Sequence, residues 1–139
     1  MNTKGFTLVE LMVVMTIIAI LAVGSFSTFE GSKASARDGR RKADLETIRG
    51  AFELYYADEK AYPVSLPACN AALKSVDGNS TYLNKTPCDP SNPTTQGYQI
   101  DSNGTTYTIG AKLEREDNMV CLAKDCPSTK QCDYCVTNP

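Results

Sequence analysis

A chain of 139 residues with a formal net charge of −2 has no surplus of positive charge with which to coat nucleic acid or anionic lipid. It contains no histidine, which removes the commonest general base and the commonest metal ligand. Six cysteines in a chain sized for one small domain point to disulfides, and so to an oxidising compartment outside the cytoplasm.

Residues 8–29 form an apolar run of 22 residues in which Glu10 is the only charge. As a helix rising about 1.5 Å per residue it would extend roughly 33 Å, enough to cross a hydrocarbon core of roughly 30 Å. A carboxylate there costs on the order of 2.5–3.5 kcal/mol at mid-membrane and less near an end, so Glu10 needs a reason. A cleaved secretory signal does not supply one. Its basic region would be only Lys4 and the amino terminus, the run is too long, and although Ser and Ala recur from Ser25 to Ala36 they make no convincing A-x-A-like site. Five cations beyond the run (Lys33, Arg37, Arg40, Arg41 and Lys42) would keep the rest of the chain in the cytoplasm by the positive-inside rule. The cysteines argue for the opposite side and weigh more, because six unpaired cytoplasmic thiols without histidine have no evident use.

No proline occurs before Pro63, so one helix is expected from Phe6 to about Asp58, ended by Tyr62-Pro63. Leu45, Ile48, Phe52 and Tyr55 recur at spacings of three and four, an apolar stripe for a sheet to cover. The cluster Arg37, Arg40, Arg41, Lys42 reads most simply as a solvated face. The alternatives are acidic groups of neighbouring subunits, lipid head groups or, with least support, DNA. Residues 64–93 read as a connecting region with a short apolar helix near 71–73. Tyr98-Gln99-Ile100 and Thr105-Thr106-Tyr107-Thr108-Ile109 flank Ser102-Asn103-Gly104, a hairpin signal because Asn-Gly accepts positive φ. Tyr107, Ile109, Ala111 and Leu113 alternate with polar or small residues, so one strand face can lie on the helix stripe. A third strand is expected at residues 119–122. Asp101-Ser102-Asn103-Gly104 faintly suggests calcium but lacks the ligand run of a dedicated loop and reads as a plain turn.

Cys69 and Cys88 bracket the loop between helix and sheet, and Cys121, Cys126, Cys132 and Cys135 cluster in the tail. The expected scheme is Cys69–Cys88, with Cys121–Cys132 and Cys126–Cys135 as one of three possible tail pairings. A structural zinc on the four tail thiolates, or a redox pair at Cys132-Asp133-Tyr134-Cys135, are weaker alternatives.

The stretch Gly5-Phe6-Thr7-Leu8-Val9-Glu10, set directly before an apolar helix, resembles the N-terminus of type IV prepilins and type II secretion pseudopilins. ARDGRRKADLETIRGAFELYYADEKAYP is similar to the helix of that family, and YLNKTPCDP and YQIDSNGTTYTIGAKLE to its loop and first strands. The likeness extends to about Leu113, and the Cys-rich tail lies outside it. The resemblance implies an α+β fold: a long N-terminal helix, membrane-embedded in its first half, packed against a small antiparallel sheet. A disulfide-linked C-terminal tail would complete it. It implies a leader at residues 1–5, cut after Gly5 by a prepilin peptidase that also methylates the new amino terminus at Phe6. Residues 6–29 would form the transmembrane and filament-core helix, and residues 30–139 the globular domain: amphipathic helix to about 58, loop 59–97, hairpin and Cys-rich tail 98–139.

Glu10 then gains its reason. Its anion would pair with the Phe6 amine of a neighbouring subunit, and an opposite charge within about 4–6 Å favours the charged form of both. The helix-breaking proline that many relatives carry in the second half of the membrane segment is missing here. Some pseudopilins bind calcium near the C-terminus, where Asp117 or Asp125 would be the candidates, but no metal and no cofactor is expected. The implied function is mechanical, without an active site. The chain would be a type IV pilus subunit serving adhesion, motility or DNA uptake, or else the major pseudopilin of a type II secretion system. A membrane-anchored thiol or zinc protein is the alternative from another class. Implied partners are further copies of the chain, minor pilins, the prepilin peptidase and methyltransferase, an inner-membrane platform protein and an assembly ATPase. Membrane lipid would surround the precursor, held in the inner membrane with its N-terminus cytoplasmic and its C-terminal domain outside. The assembled form would be an extracellular fimbrium or a periplasmic pseudopilus.

Overall fold

The computed structural model describes residues 5–94, 97–115 and 132–139, with the side chains of 24–28 outside that description. One helix, α1 (Leu8–Glu59), accounts for 52 residues. It begins one residue after Thr7, whose side chain caps it, and it ends four residues before Pro63. The stop is Lys60, which takes a left-handed φ of 59°, donates its N–H to the Tyr56 carbonyl at 3.0 Å and its ammonium to the Ala57 carbonyl at 2.6 Å. The chain divides into two compact units, Met1–Ala34 and Ser35–Pro139.

In the first unit every described side chain from residue 5 to residue 23 is exposed, apolar ones included. The transmembrane span expected over residues 6–29 is not seen: among the described residues no helix is long and apolar enough to cross a membrane.

In the second unit Leu45, Ile48, Ala51 and Phe52 of α1 are buried, as their spacing predicts, and Tyr55 packs against the same core. They meet an antiparallel sheet of β3 (Tyr98–Ser102), β4 (Tyr107–Ala111) and β5 (Tyr134–Thr137), in the order β3-β4-β5. The register pairs Ile100 with Ile109 and Ile109 with Val136. Tyr107, Ile109, Ala111 and Leu113 are all buried, so the alternating face does lie in the core. The Phe52 and Tyr62 rings meet Tyr107 edge-on, with centroids 5.2 and 4.7 Å away. Burying each Leu, Ile or Phe of this kind contributes roughly 1.5–3 kcal/mol, which is why a helix with four interior glycines is stable here.

Two local expectations are corrected. Residues 71–73 are not helical: β1 (Leu73–Lys74) pairs antiparallel with β2 (Thr81–Leu83) and delivers Leu73 to the core. One helical turn would leave its own end groups unpaired. Here the Ala71 carbonyl accepts the Thr86 N–H at 2.8 Å, and the Thr86 carbonyl accepts the Asn70 N–H at 2.9 Å. The main sheet also takes a strand, β5, from the C-terminal tail, and the strand expected at residues 119–122 lies outside the described residues. The expected β3–β4 hairpin forms, closed by a four-residue loop, 103–106, but Asn103 does not take the positive φ expected of it. Only Gly104 takes positive φ there (86°), while the Asn103 side chain closes the loop by accepting the N–H groups of Thr105 and Thr106 at 2.9 and 2.8 Å.

Candidate functional site

The N-terminal segment carries the residues singled out by the sequence. Gly5, Phe6 and Thr7 precede α1, are exposed and lie outside the helix, and a Cβ added at Gly5 would meet nothing within 4 Å. The Gly5–Phe6 peptide bond therefore sits in accessible, non-helical backbone. Thr7 and Glu10 form a capping box. The Glu10 carboxylate accepts the Thr7 N–H at 2.8 Å and the Thr7 hydroxyl at 2.7 Å, while the Thr7 hydroxyl accepts the Glu10 N–H at 3.3 Å. Glu10 thus has a task inside its own chain. The T-x-x-E spacing that signals this box stands in the sequence beside the prepilin motif.

The second cluster was not legible as such. Arg37, Asp38 and Arg41 project from one region of α1, and Arg41 is only 3% exposed. Its guanidinium donates to Asp38 at 2.7 Å, Asp89 at 3.0 Å and the Ser91 hydroxyl at 2.8 Å, and lies 3.0 Å from Glu114. Arg37 grips both oxygens of Glu114, and Asp38 accepts the N–H groups of Glu114 and Arg115 at 2.9 Å each. One buried cation therefore ties together the helix, the disulfide loop and the chain leaving β4. The basic cluster is not simply a solvated face. Arg40 is exposed, but Arg37 and Arg41 are engaged in this cluster and the Lys42 ammonium lies 5.4 Å above the Tyr134 ring of β5.

The electrostatics follow from the contacts. The Arg37 fork, then the Ser91 hydroxyl, hold the Glu114 carboxyl down at about 2. Burial pushes Asp38 up, but the N–H groups of Glu114 and Arg115 and the Arg41 guanidinium outweigh it and leave Asp38 below its usual value. Burial likewise opposes ionisation of Asp89, and Arg41 with the Ser91 N–H overcomes it. The carboxylates and guanidiniums satisfy one another, so the cluster acts as a clamp with no general acid or base poised for chemistry. Two further carboxylates receive buried phenols: Glu53 accepts Tyr107 and Tyr62 at 2.7 and 3.0 Å, and Asp44 accepts Tyr98 at 2.6 Å. Burial first, then these acceptors, push Tyr98 and Tyr107 well above the usual phenol range.

Cys69 and Cys88 form the expected disulfide, with Cα atoms 5.1 Å apart. Cys132 and Cys135 are each disulfide-bonded, a state that does not offer the thiolates a structural zinc requires. Cys121 and Cys126, and with them the expected tail pairing, lie outside the described residues, as do Asp117 and Asp125. Among the described residues no group of three or more potential ligands could hold a metal ion.

A helix whose first half exposes an apolar surface and whose second half carries small antiparallel sheets defines a pilin-like protein. The comparisons agree with that class. The prokaryotic N-terminal methylation motif matches residues 1–26. The type II secretion system core protein G of Pseudomonas aeruginosa is 34% identical over 122 residues, covering 78% of this chain and 83% of that one. Its counterpart in Klebsiella pneumoniae is 30% identical over 63% of this chain and 68% of its own. The type IV wide pilus major component of Thermus thermophilus is 35% identical over 58% of this chain and 63% of its own. No solved structure matches. The chain belongs to the family of type IV pilins and type II secretion pseudopilins.

Proposed function

We propose that this chain is a structural filament subunit: cut between Gly5 and Phe6, methylated at Phe6, and polymerised through its N-terminal helix into a type IV pilus. The observation that carries this is the first half of α1, where apolar side chains from Phe6 to Val23 are exposed and only Glu10 is charged. Apolar surface this long is stable only against lipid or further copies of itself. We assign residues 1–5 as leader, 6–29 as membrane and filament-core helix and 30–139 as globular domain. Glu10 and the Phe6 amine of a neighbouring copy form the register-setting pair. The prepilin peptidase, platform protein and assembly ATPase are the partners this reading requires, with the precursor held in the inner membrane and its disulfide-bonded domain outside. A second reading, the major pseudopilin of a type II secretion system, is favoured by the identity and coverage of the core protein G relatives.

Mass spectrometry of the mature chain tests the common step. Loss of Lys4 with the leader takes Lys+Arg from 14 to 13 against 16 acids, so the formal charge moves from −2 to −3, and the first residue is N-methylated Phe6. A mature terminus at Met1 would refute the proposal. Imaging then separates the two readings. Long surface filaments containing the chain mark a pilus, and retention of exported proteins in its absence without such filaments marks a secretion pseudopilus.

A further inference from the structure

Three Asn-x-Thr triplets with a middle residue other than proline occur in the chain: Asn79-Ser80-Thr81, Asn84-Lys85-Thr86 and Asn103-Gly104-Thr105. This triplet is the acceptor pattern for attaching a glycan to an asparagine amide in exported proteins. The Cys69–Cys88 disulfide is in keeping with such a compartment. The fold treats the three triplets differently.

Thr86 is 1% exposed and its hydroxyl donates to the Ala71 carbonyl at 2.9 Å, so an enzyme reading Asn84 would find the required hydroxyl buried and engaged. Asn79 is exposed, but its Nδ2 donates to Asp77 at 2.8 Å and Thr81 is paired with Lys74 in the β1–β2 ladder. Asn103 has the opposite arrangement. It is exposed on the β3–β4 loop, and its Oδ1 accepts both the N–H and the hydroxyl of Thr105, at 2.9 and 2.8 Å. Its Nδ2 makes no hydrogen bond among the described residues. The amide carbonyl is thus held by the same hydroxyl that the acceptor pattern requires, and the reacting nitrogen is left open. Gly104, at φ 86°, gives the loop its turn, and the Tyr62 N–H fixes the Gly104 carbonyl at 2.8 Å on the other side of the tip. Asp101, exposed two residues ahead, adds an anionic anchor beside the acceptor.

The geometry points to Asn103 as the acceptor of an N-linked glycan delivered from a lipid-pyrophosphate-linked oligosaccharide. The bond formed joins Asn103 Nδ2 to the anomeric carbon of the first sugar. The bond broken joins that carbon to the pyrophosphate oxygen. The lipid pyrophosphate leaves with the bonding pair, and Nδ2 gives up one proton to a base of the transferase. The product keeps Oδ1 and one N–H, so the loop contacts of Thr105 and Thr106 survive the reaction. This goes beyond the filament reading and depends only on export of the globular part.

The test is mass spectrometry of the full chain purified from the envelope of its own cell, with electron-transfer fragmentation to keep any glycan on its residue. The peptide carrying residue 103 is expected to bear an oligosaccharide on Asn103. Asn103→Gln and Thr105→Val should remove it completely, Thr105→Ser should retain it, and Asn79→Gln and Asn84→Gln should leave it unchanged. The same spectra report the Cys69–Cys88 linkage and the mature N-terminus, so failed export or folding of a variant is read separately from failed modification. An unmodified Asn103 in correctly exported chain overturns the proposal, as does simple deamidation there, or a glycan carried by Asn79 or Asn84 alone.

Discussion

Replacing Arg41 with methionine keeps an unbranched apolar stem in the same space and removes the cation from beneath Asp38, Asp89 and Glu114. The magnitude follows from how dry the site is. The Arg41 and Asp38 side chains are 4% and 8% exposed, and those of Asp89 and Glu114 20% and 29%. Removing one partner of a buried ion pair costs about 3–5 kcal/mol, because the remaining charge is stranded in low dielectric. Arg37 and the backbone N–H groups still serve the carboxylates, and two of the three are partly wetted, which sets the expected loss near the lower end, about 3 kcal/mol. For a unit of about 100 residues each kcal/mol shifts the melting temperature by roughly 4–8 °C, so Arg41→Met should melt roughly 12–24 °C below the parent. Near-UV circular dichroism of the full chain in detergent reads this directly, since there are seven tyrosines and no tryptophan. Arg49→Met is the control. Its pair with Glu46 is 38% and 51% exposed, and such pairs contribute about 0–1 kcal/mol. Adding Asp38→Asn to Arg41→Met should recover part of the loss by removing one stranded charge. If Arg41→Met and Arg49→Met destabilise equally, within about 1 kcal/mol, the guanidinium is solvated and the clamp holds nothing.

Acid should loosen the same clamp. Glu114 titrates at about 2 in the fold against an ordinary 4.5, and Asp38 and Asp89 are lowered in the same direction. Their stabilisation is therefore complete above the ordinary carboxylate values and is lost as pH falls from about 4.5 toward about 2. Urea midpoints across that window should drop, and a flat profile would contradict the assignment. Removing the Cys69–Cys88 bridge by a double Cys→Ser change frees a loop of sequence separation 19 and should cost about 3 kcal/mol in denaturant titrations. At the N-terminus, Glu10→Gln retains a side chain able to complete the capping box, whereas Glu10→Ala abolishes it. Both should cripple filament yield by stranding the neighbour's amine, but only Glu10→Ala should lower helicity at the start of α1, read by NMR in micelles. Normal filament yield from Glu10→Gln would show that register does not depend on this charge.

Periodicity in the sequence determined the elements that make the core. The spacing of Leu45, Ile48 and Phe52 gave a helix face, and the alternation of Tyr107, Ile109 and Ala111 gave the strand that covers it. Both signals are local, because side-chain direction repeats with the backbone. The T-x-x-E box at Thr7 and Glu10 was equally local, three residues apart. Tertiary structure alone decided the rest. Nothing near Arg41 in the sequence says that Asp89, 48 residues on, and Glu114, 73 on, will converge over it and turn a basic stripe into a buried clamp. Residues 71–73 could read as a helical turn until Thr86 supplied the partners that favour an extended chain, and Tyr134–Thr137 became a strand only because β4 offered it an open edge. Whether a backbone group is paired, or a charge solvated, depends on which distant segments arrive beside it, and that is a property of the folded chain.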